Sequence, residues 1–218
     1  YQGIPAKDPS GWGGFYFNSG QAFNLGVGMR VNPHVYGRCW YPCVDNFTDK
    51  ATYDFHITTI PSHTATCGGM FQSVTSDANG NKVWHWKIEQ PVATYITSVA
   101  VGEFEKVEFS YQGLNGQIPV DIYCKPSQVS SATTAFAGVP QMLQIYENAF
   151  GPYPYPRAGY TVVNFSNGAM EHVMNIAYPN DALTTSLSSQ TLMAHELSHM
   201  WFGNSVTCAT AEDMWMNE

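Results

Sequence analysis

Residues 195–199 read His-Glu-Leu-Ser-His, and this is the most informative stretch of the 218-residue sequence. Side chains four residues apart lie on the same face of an α-helix, so His195 and His199 can reach one metal ion. Glu196 lies one position further round the helix, where it can contact a water on that ion without binding the ion itself. The alternative is an amphipathic helix that carries two histidines near its buried face by chance. The spacing favours the metal site.

The residues around this stretch predict two short helices separated by a loop. The first is expected over about 189–202, with Ser189 as its N-cap and Gly203 at its end. The second is expected to begin at Thr210, because Thr210 and Asp213 have the spacing of a capping box. The short loop between them, residues 203–209, would turn the second helix back across the first.

A catalytic zinc site needs a third protein ligand and an open position for water. Glu218, nineteen residues after His199, is the candidate that the second helix supplies. Glu212 and Asp213 are nearby competitors, so spacing alone favours Glu218 only modestly.

The first half of the chain has the alternation of apolar and polar residues that half-buried strands show. Strands are expected over residues 51–60, 83–88, 93–112 with a break near Gly102, and 118–124. After residue 125 the apolar residues of 131–150 recur at helical spacing, with Pro140 expected to start or kink a helix. Strand-like runs follow at 159–165 and 169–178. The pattern predicts an α+β fold with a domain boundary near residue 125.

Composition excludes several classes of function. Nine Lys and Arg against 17 Asp and Glu give a formal net charge of −8, which speaks against nucleic-acid binding. No apolar run approaches the roughly 18 residues of a membrane span. Charged residues are only 12% of the chain, which favours a secreted or periplasmic protein and leaves a cytoplasmic one open. The five cysteines form no CxxC pair, so they indicate no zinc knuckle, although one or two disulfide bridges remain compatible with the sequence.

Five stretches occur together in a recognisable order. Two of them are residues 195–204 (HELSHMWFGN) and 213–218 (DMWMNE). They are preceded in the chain by residues 38–45 (RCWYPCVD), 150–156 (FGPYPYP) and 168–172 (GAMEH). They resemble the zinc signature, the Gly-Ala-Met-Glu-Asn exopeptidase motif and two neighbouring segments of the aminopeptidase N-type zinc metallopeptidases. The likeness runs from about residue 35 to residue 218.

The resemblance implies a fold and a metal. It implies part of an all-β N-terminal domain over residues 1–124, followed by the first half of a thermolysin-like catalytic domain over 125–218. It implies one Zn²⁺ per chain, with His195, His199 and Glu218 as ligands.

The resemblance also implies a reaction, the release of N-terminal residues from peptide substrates by zinc-activated water. Glu196 is expected to be the general base. Glu171 is expected to anchor the substrate's α-ammonium, within a substrate-binding edge that also contains Gly168, Ala169 and Met170. A zinc endopeptidase with the same metal site and a catalytically inert binding module are the alternatives that remain open.

Two departures from the family pattern matter. His172 stands where the family has Asn, and it can either face the cleft or pack under the sheet. The sequence also stops at the implied third ligand, before the tyrosine that stabilises the family's tetrahedral intermediate. We therefore expect an internal fragment that needs the missing parts of the parent chain to complete the site, and that has little or no activity alone.

Overall fold

The computed structural model describes residues 2–218, and these residues form three β-sheets and three α-helices. The first sheet has four strands in the order β1-β2-β7-β4. Their bounds are β1 Gly13–Asn18, β2 Gln21–Gly28, β4 Thr64–Cys67 and β7 Val99–Gly102. All of its pairings are antiparallel.

The second sheet has three antiparallel strands in the order β3-β6-β5. Their bounds are β3 Lys50–Thr59, β5 Met70–Ser76 and β6 Lys82–Ala93. The alternation predicted for residues 51–60 and 83–88 is confirmed. Its apolar side chains, with Trp86 and Ile88 fully buried, face the core, and its polar side chains face water.

The third sheet has four strands in the order β11-β10-β9-β8. Their bounds are β8 Glu105–Gly113, β9 Gly116–Cys124, β10 Ala158–Val163 and β11 Ile176–Pro179. β10 runs parallel to both of its neighbours, and all six of its residues are buried. Such continuous burial is typical of a strand that is covered on both faces.

The helices cover this third sheet. They are α1 Val129–Phe136, α2 Val139–Phe150 and α3 Leu187–Ser198. Pro140 lies in the first turn of α2, where proline's missing N–H costs nothing, so the predicted helical stretch is divided there. Phe136 of α1 packs edge-on against Tyr160 and Tyr178 of the sheet. The α+β prediction is confirmed, and the domain boundary near residue 125 stays a prediction.

Arg157 joins the third sheet to the chain that precedes β5. Its side chain is buried, and its Nε and Nη2 donate to the carbonyls of Gly69 and Cys67 at 2.9 and 3.0 Å. Nη1 lies 3.5 Å from the carboxylate of Asp121, and the guanidinium lies over the ring of Trp86 at 5.0 Å. A buried cation is thereby surrounded by acceptors from two sheets.

One strand prediction needs correction. The run at 169–178 is not one strand, because Met174 has φ of 56° and breaks it, and only Ile176–Pro179 is extended. The other half makes a single bridge, Met170 to Ala177.

All five cysteines are free. Within residues 2–218, no helix combines the length and apolar character that crossing a membrane would require.

Candidate metal centre

Helix α3 is fixed from both sides by tyrosine hydroxyl groups. These donate to carbonyl oxygens along the helix at 2.8–3.2 Å, from Tyr146 of α2 to Ala194, from Tyr160 of β10 to Met193, and from Tyr178 of β11 to Ser189. The helix begins one turn earlier than predicted, since Ser186 is the N-cap and accepts from the Ser189 amide at 3.3 Å. Ser189 was therefore the wrong N-cap, and the helix ends at Ser198 rather than near residue 202.

His195 and His199 face each other at the end of this helix. Their Nε2 atoms are 3.1 Å apart, with the His195 side chain 45% exposed and that of His199 only 3% exposed. Nδ1 of His199 lies 3.2 Å from the carbonyl oxygen of Phe202. Donation of the Nδ1 proton to that carbonyl leaves the Nε2 lone pair of His199 directed at the site.

Gly203 makes this arrangement possible. It has φ of +107°, which favours glycine, and a Cβ at this position would lie 3.2 Å from Nδ1 of His199. The sharp turn brings the carbonyl of Phe202 back beneath the imidazole ring.

Glu218 reaches the two histidines from a segment that is folded differently from the prediction. Residues Ala211–Met216 form 3₁₀ turns with non-helical geometry at Asp213, and Thr210 makes no side-chain cap. The predicted capping box is therefore wrong. The segment is instead held by Asn217, whose Oδ1 accepts from the Cys208 amide at 3.1 Å and whose Nδ2 donates to the Tyr95 hydroxyl at 3.3 Å.

The three candidate ligands fit a zinc ion. Oε2 of Glu218 lies 3.6 Å from Nε2 of His195 and 3.8 Å from Nε2 of His199. Tetrahedral zinc with bonds of about 2.0–2.1 Å places its ligand atoms about 3.3 Å apart, which is close to the three distances observed. The Glu218 carboxylate raises the pKa of His195, and the His195 ring lowers the pKa of Glu218. Two imidazoles and one carboxylate are a common catalytic donor set for zinc.

Glu196 lines the same cavity as the three candidate ligands and is almost completely buried. Only 4% of the residue is exposed, and its Oε2 has no hydrogen-bond partner within the described chain. Burial raises the pKa of Glu196 well above its ordinary value, and the negative charges of Glu171 and Glu218 raise it further. A metal ion bound nearby would instead lower the pKa of Glu196. An unpartnered carboxylate oxygen is available to accept a proton.

Glu171 follows a short extended edge. Gly168 has φ of +113°, and Met170 exchanges both backbone hydrogen bonds with Ala177 at 3.0 Å. The carbonyl of Glu171 accepts from Nδ2 of Asn204 at 2.7 Å, which ties the edge to the turn after α3. Burial raises the pKa of Glu171, and the nearby His199 opposes that increase.

His172 packs beneath this edge and is fully buried. Its Nε2 lies 3.3 Å from Nδ2 of Asn24 on β2, and its Nδ1 has no partner in residues 2–218. Because a buried imidazole is neutral, Asn24 donates and His172 accepts, and burial lowers the pKa of His172 to about 3. Of the two placements left open for His172, the structure shows the one under the sheet.

A cavity of about 490 Å³ brings most of the predicted site residues together. Its lining includes the three candidate ligands, Glu196, Glu171, Gly168 and Ala169. Met170 is buried behind the edge and does not line the cavity, and neither do the competitors Glu212 and Asp213.

Sequence reasoning missed the residues that the first 100 positions contribute to the cavity. These include Trp12, Met29, His34 and Tyr95. Nε1 of Trp12 donates to the carbonyl of Asn167 at 2.9 Å and so braces the substrate edge from across the chain. No spacing or motif in a single sequence identifies such a contact between residues 155 positions apart.

Comparison with known proteins agrees with this geometry. Residues 134–218 match the peptidase family M1 domain. Endoplasmic reticulum aminopeptidase 1 of Homo sapiens is 29% identical over 192 residues, which cover 83% of this chain and 20% of that protein. Aminopeptidase M1 of Arabidopsis thaliana is 28% identical over 215 residues, which cover 93% of this chain and 24% of that protein. The chain thus spans about a fifth to a quarter of the length of these curated relatives.

Solved structures extend the likeness over nearly the whole chain. An M1 zinc metallopeptidase from Deinococcus radiodurans matches 98% of this chain and 48% of its own, with a TM-score of 0.82 and 26% identity. A mutant of that protein bound to a Tyr-Ser-Ala substrate matches 98% of this chain and 48% of its own, with a TM-score of 0.83 and 26% identity. The shared fold, the shared sequence and the matched domain lead to one conclusion: residues 134–218 form part of a peptidase family M1 domain, in a chain that has the fold of M1 zinc metallopeptidases.

Proposed function

We propose that this chain carries the metal site and the amine-binding edge of a zinc aminopeptidase. The observation that carries the proposal is that Glu171 lines the same cavity as His195, His199, Glu218 and Glu196. The curated relatives described above are aminopeptidases by name. We also propose a location outside the cytoplasm, in keeping with the low charge content of the chain and with the endoplasmic reticulum in the name of the human relative.

His195, His199 and Glu218 would hold the zinc ion, one per chain, in the arrangement described above. Zinc, when bound, supplies a Lewis acid that lowers the pKa of a coordinated water and polarises the carbonyl of the scissile bond. The hydrogen bond from His199 Nδ1 to Phe202 fixes one ligand ring, and the network around Asn217 fixes the backbone that carries Glu218. The protein therefore holds its ligands in place before substrate arrives.

Glu196 moves the proton in this proposal. Its unpartnered Oε2 accepts a proton from the attacking water and then delivers it to the departing amine nitrogen. Burial keeps competing solvent away from this oxygen and, with the neighbouring carboxylates, raises the proton affinity of Glu196. That affinity suits a group that must first take a proton and then release it.

Glu171 determines which peptide bond of the substrate is cut. Its carboxylate would pair with the free α-ammonium of the substrate, so that only the first peptide bond reaches the metal site. The backbone of Gly168 and Ala169, which has no bulky side chain, can run beside an extended substrate as an added strand would.

Removing one ligand tests the metal site. In the 218-residue chain, we expect wild-type protein to retain one zinc per chain after dialysis, and His199→Ala to retain almost none. The reason is that two remaining ligands, one of them 45% exposed, do not make a closed site. Zinc content is measured by elemental analysis, with His63→Ala, a half-buried histidine outside the cavity, as the matched control. Unchanged zinc in His199→Ala would contradict the ligand assignment.

Glu171→Ala tests the amine anchor. On substrates with a free N-terminus, we expect kcat/KM to fall by about one to two decades, from the roughly 1.5–3 kcal/mol of a lost charged hydrogen bond. Activity on N-acetylated peptides, low from the start, should change little. Both substrates are assayed on an active chain that contains residues 1–218, with zinc content measured in parallel.

Glu212→Gln is the matched control, because Glu212 is exposed and does not line the cavity. Equal losses on both substrates would show that Glu171 supports the fold or the metal and does not bind the amine. Preferential cleavage of blocked peptides by the wild-type protein would favour the endopeptidase alternative. Zinc binding without cleavage of either substrate would favour the inert binding module.

A further inference from the structure

A second group of metal-binding side chains lies on the outer face of the β3-β6-β5 sheet. His56 of β3 and His85 of β6 are directly opposite each other in the antiparallel register. Asp54, two residues before His56, projects from the same face because side chains alternate along a strand. Besides His195, His199 and Glu218, this is the one group of three His, Cys, Asp or Glu side chains in residues 2–218 whose potential ligand atoms converge.

The three side chains converge on one point. Oδ1 of Asp54 lies 2.7 Å from Nε2 of His85 and 3.1 Å from Nε2 of His56. The two imidazole rings are stacked, with centroids 4.3 Å apart and planes 18° from parallel. This stacking aligns the two rings, so that both Nε2 atoms approach the same carboxylate oxygen.

The cluster has the dimensions of a metal site. Its potential ligand atoms all lie within 4.8 Å of one another, as they do in the candidate catalytic site. A protein carboxylate and two imidazoles suit zinc, nickel and copper and do not suit magnesium, which prefers oxygen ligands. Lys87 faces Asp54 across the strands, but its Nζ is paired with Glu89 at 3.0 Å. The positive charge of Lys87 is thus partly neutralised.

We propose that Asp54, His56 and His85 form a second binding site for a divalent transition-metal ion. All three side chains are at least partly exposed, so the ion would complete its coordination with water and exchange with solvent. None of the three lines the cavity that contains Glu171 and Glu196, so this site is independent of the proposed peptidase chemistry. We expect it to bind zinc more weakly than the candidate catalytic site, because each of its side chains is at least 27% exposed, whereas His199 is only 3% exposed.

Calorimetric titration of the metal-free 218-residue chain with zinc tests the proposal. We expect two binding events in the wild-type protein. His56→Ala with His85→Ala should remove the weaker event, and Asp54→Asn should weaken it at least about tenfold. His199→Ala should remove the tighter event and leave the weaker one. Failure of the second site and failure of the catalytic site are thereby distinguished.

His63→Ala is the matched control, since His63 is also on the β half and forms no part of the cluster. It should retain both events, and magnesium should produce neither. A single wild-type event that His199→Ala removes, or a weaker event that survives in the double variant, would overturn the proposal. Circular dichroism of each variant checks the fold, and Asp54→Asn gives a second, isosteric variant should the histidine double variant unfold.

Discussion

Replacing Glu196 with glutamine should lower kcat at least about 100-fold and leave the bound zinc unchanged. Glutamine keeps the shape of the side chain but cannot accept a proton at neutral pH. The near-complete burial of Glu196 and the lack of a hydrogen-bond partner for its Oε2 leave that oxygen available to accept the proton in the wild-type protein. The measurement is kcat with an aminoacyl chromogen, on an active chain that contains these residues, together with zinc content.

Glu212→Gln provides the matched control, because the same chemical change at an exposed position should leave kcat and zinc content unaltered. Near-normal turnover of Glu196→Gln with full metal occupancy would show that another group transfers the proton. Loss of zinc in that variant would instead assign Glu196 a role in holding the metal centre.

Replacing Arg157 with alanine should lower the free energy of unfolding by about 3–5 kcal/mol. The change removes a buried cation, leaves the carbonyls of Cys67 and Gly69 without donors, and deprives Asp121 of one counter-charge. Urea unfolding followed by circular dichroism gives the free energy from the midpoint and the slope.

Arg30→Ala is the matched control. Because Arg30 is exposed, its replacement should change the free energy of unfolding by no more than about 0.5 kcal/mol. Arg157→Lys should cause a loss of unfolding free energy between those of Arg157→Ala and Arg30→Ala. Lysine keeps the charge but lacks the planar guanidinium that reaches two carbonyls. A loss below about 1 kcal/mol for Arg157→Ala would show that water replaces the guanidinium at this junction.

The sequence predicts the helix that carries His195 and His199 well because its information is local. Residues four apart share one face of any α-helix, and the structure places the Nε2 atoms of His195 and His199 3.1 Å apart. The helix start is less well predicted, since Ser186 and Ser189 are both good N-caps and only tertiary packing selects the first. The Thr210 capping box fails for a related reason: hydrogen bonds of Asn217 to Cys208 and Tyr95 hold that segment in 3₁₀ turns.

The residues that complete the cavity and join the sheets could not be predicted. Trp12 acts through a contact with Asn167, and Arg157 through carbonyls about 90 positions earlier in the chain. Nothing in the local pattern around either residue distinguishes it from an ordinary surface aromatic or cation. Such contacts exist only once the sheets have been brought together.

The order of the third sheet has a consequence for anyone who wishes to produce its parts separately. β10 is parallel to β9 on one side and to β11 on the other, and β9 precedes residue 125 while β10 follows it. A polypeptide begun at residue 125 would expose one full edge of β10, whose sequence is Ala-Gly-Tyr-Thr-Val-Val. Bare, apolar strand edges recruit other chains and cause aggregation. A soluble preparation of the metal-binding half therefore has to start before β8, at or upstream of Glu105, so that the hairpin that covers this edge is included.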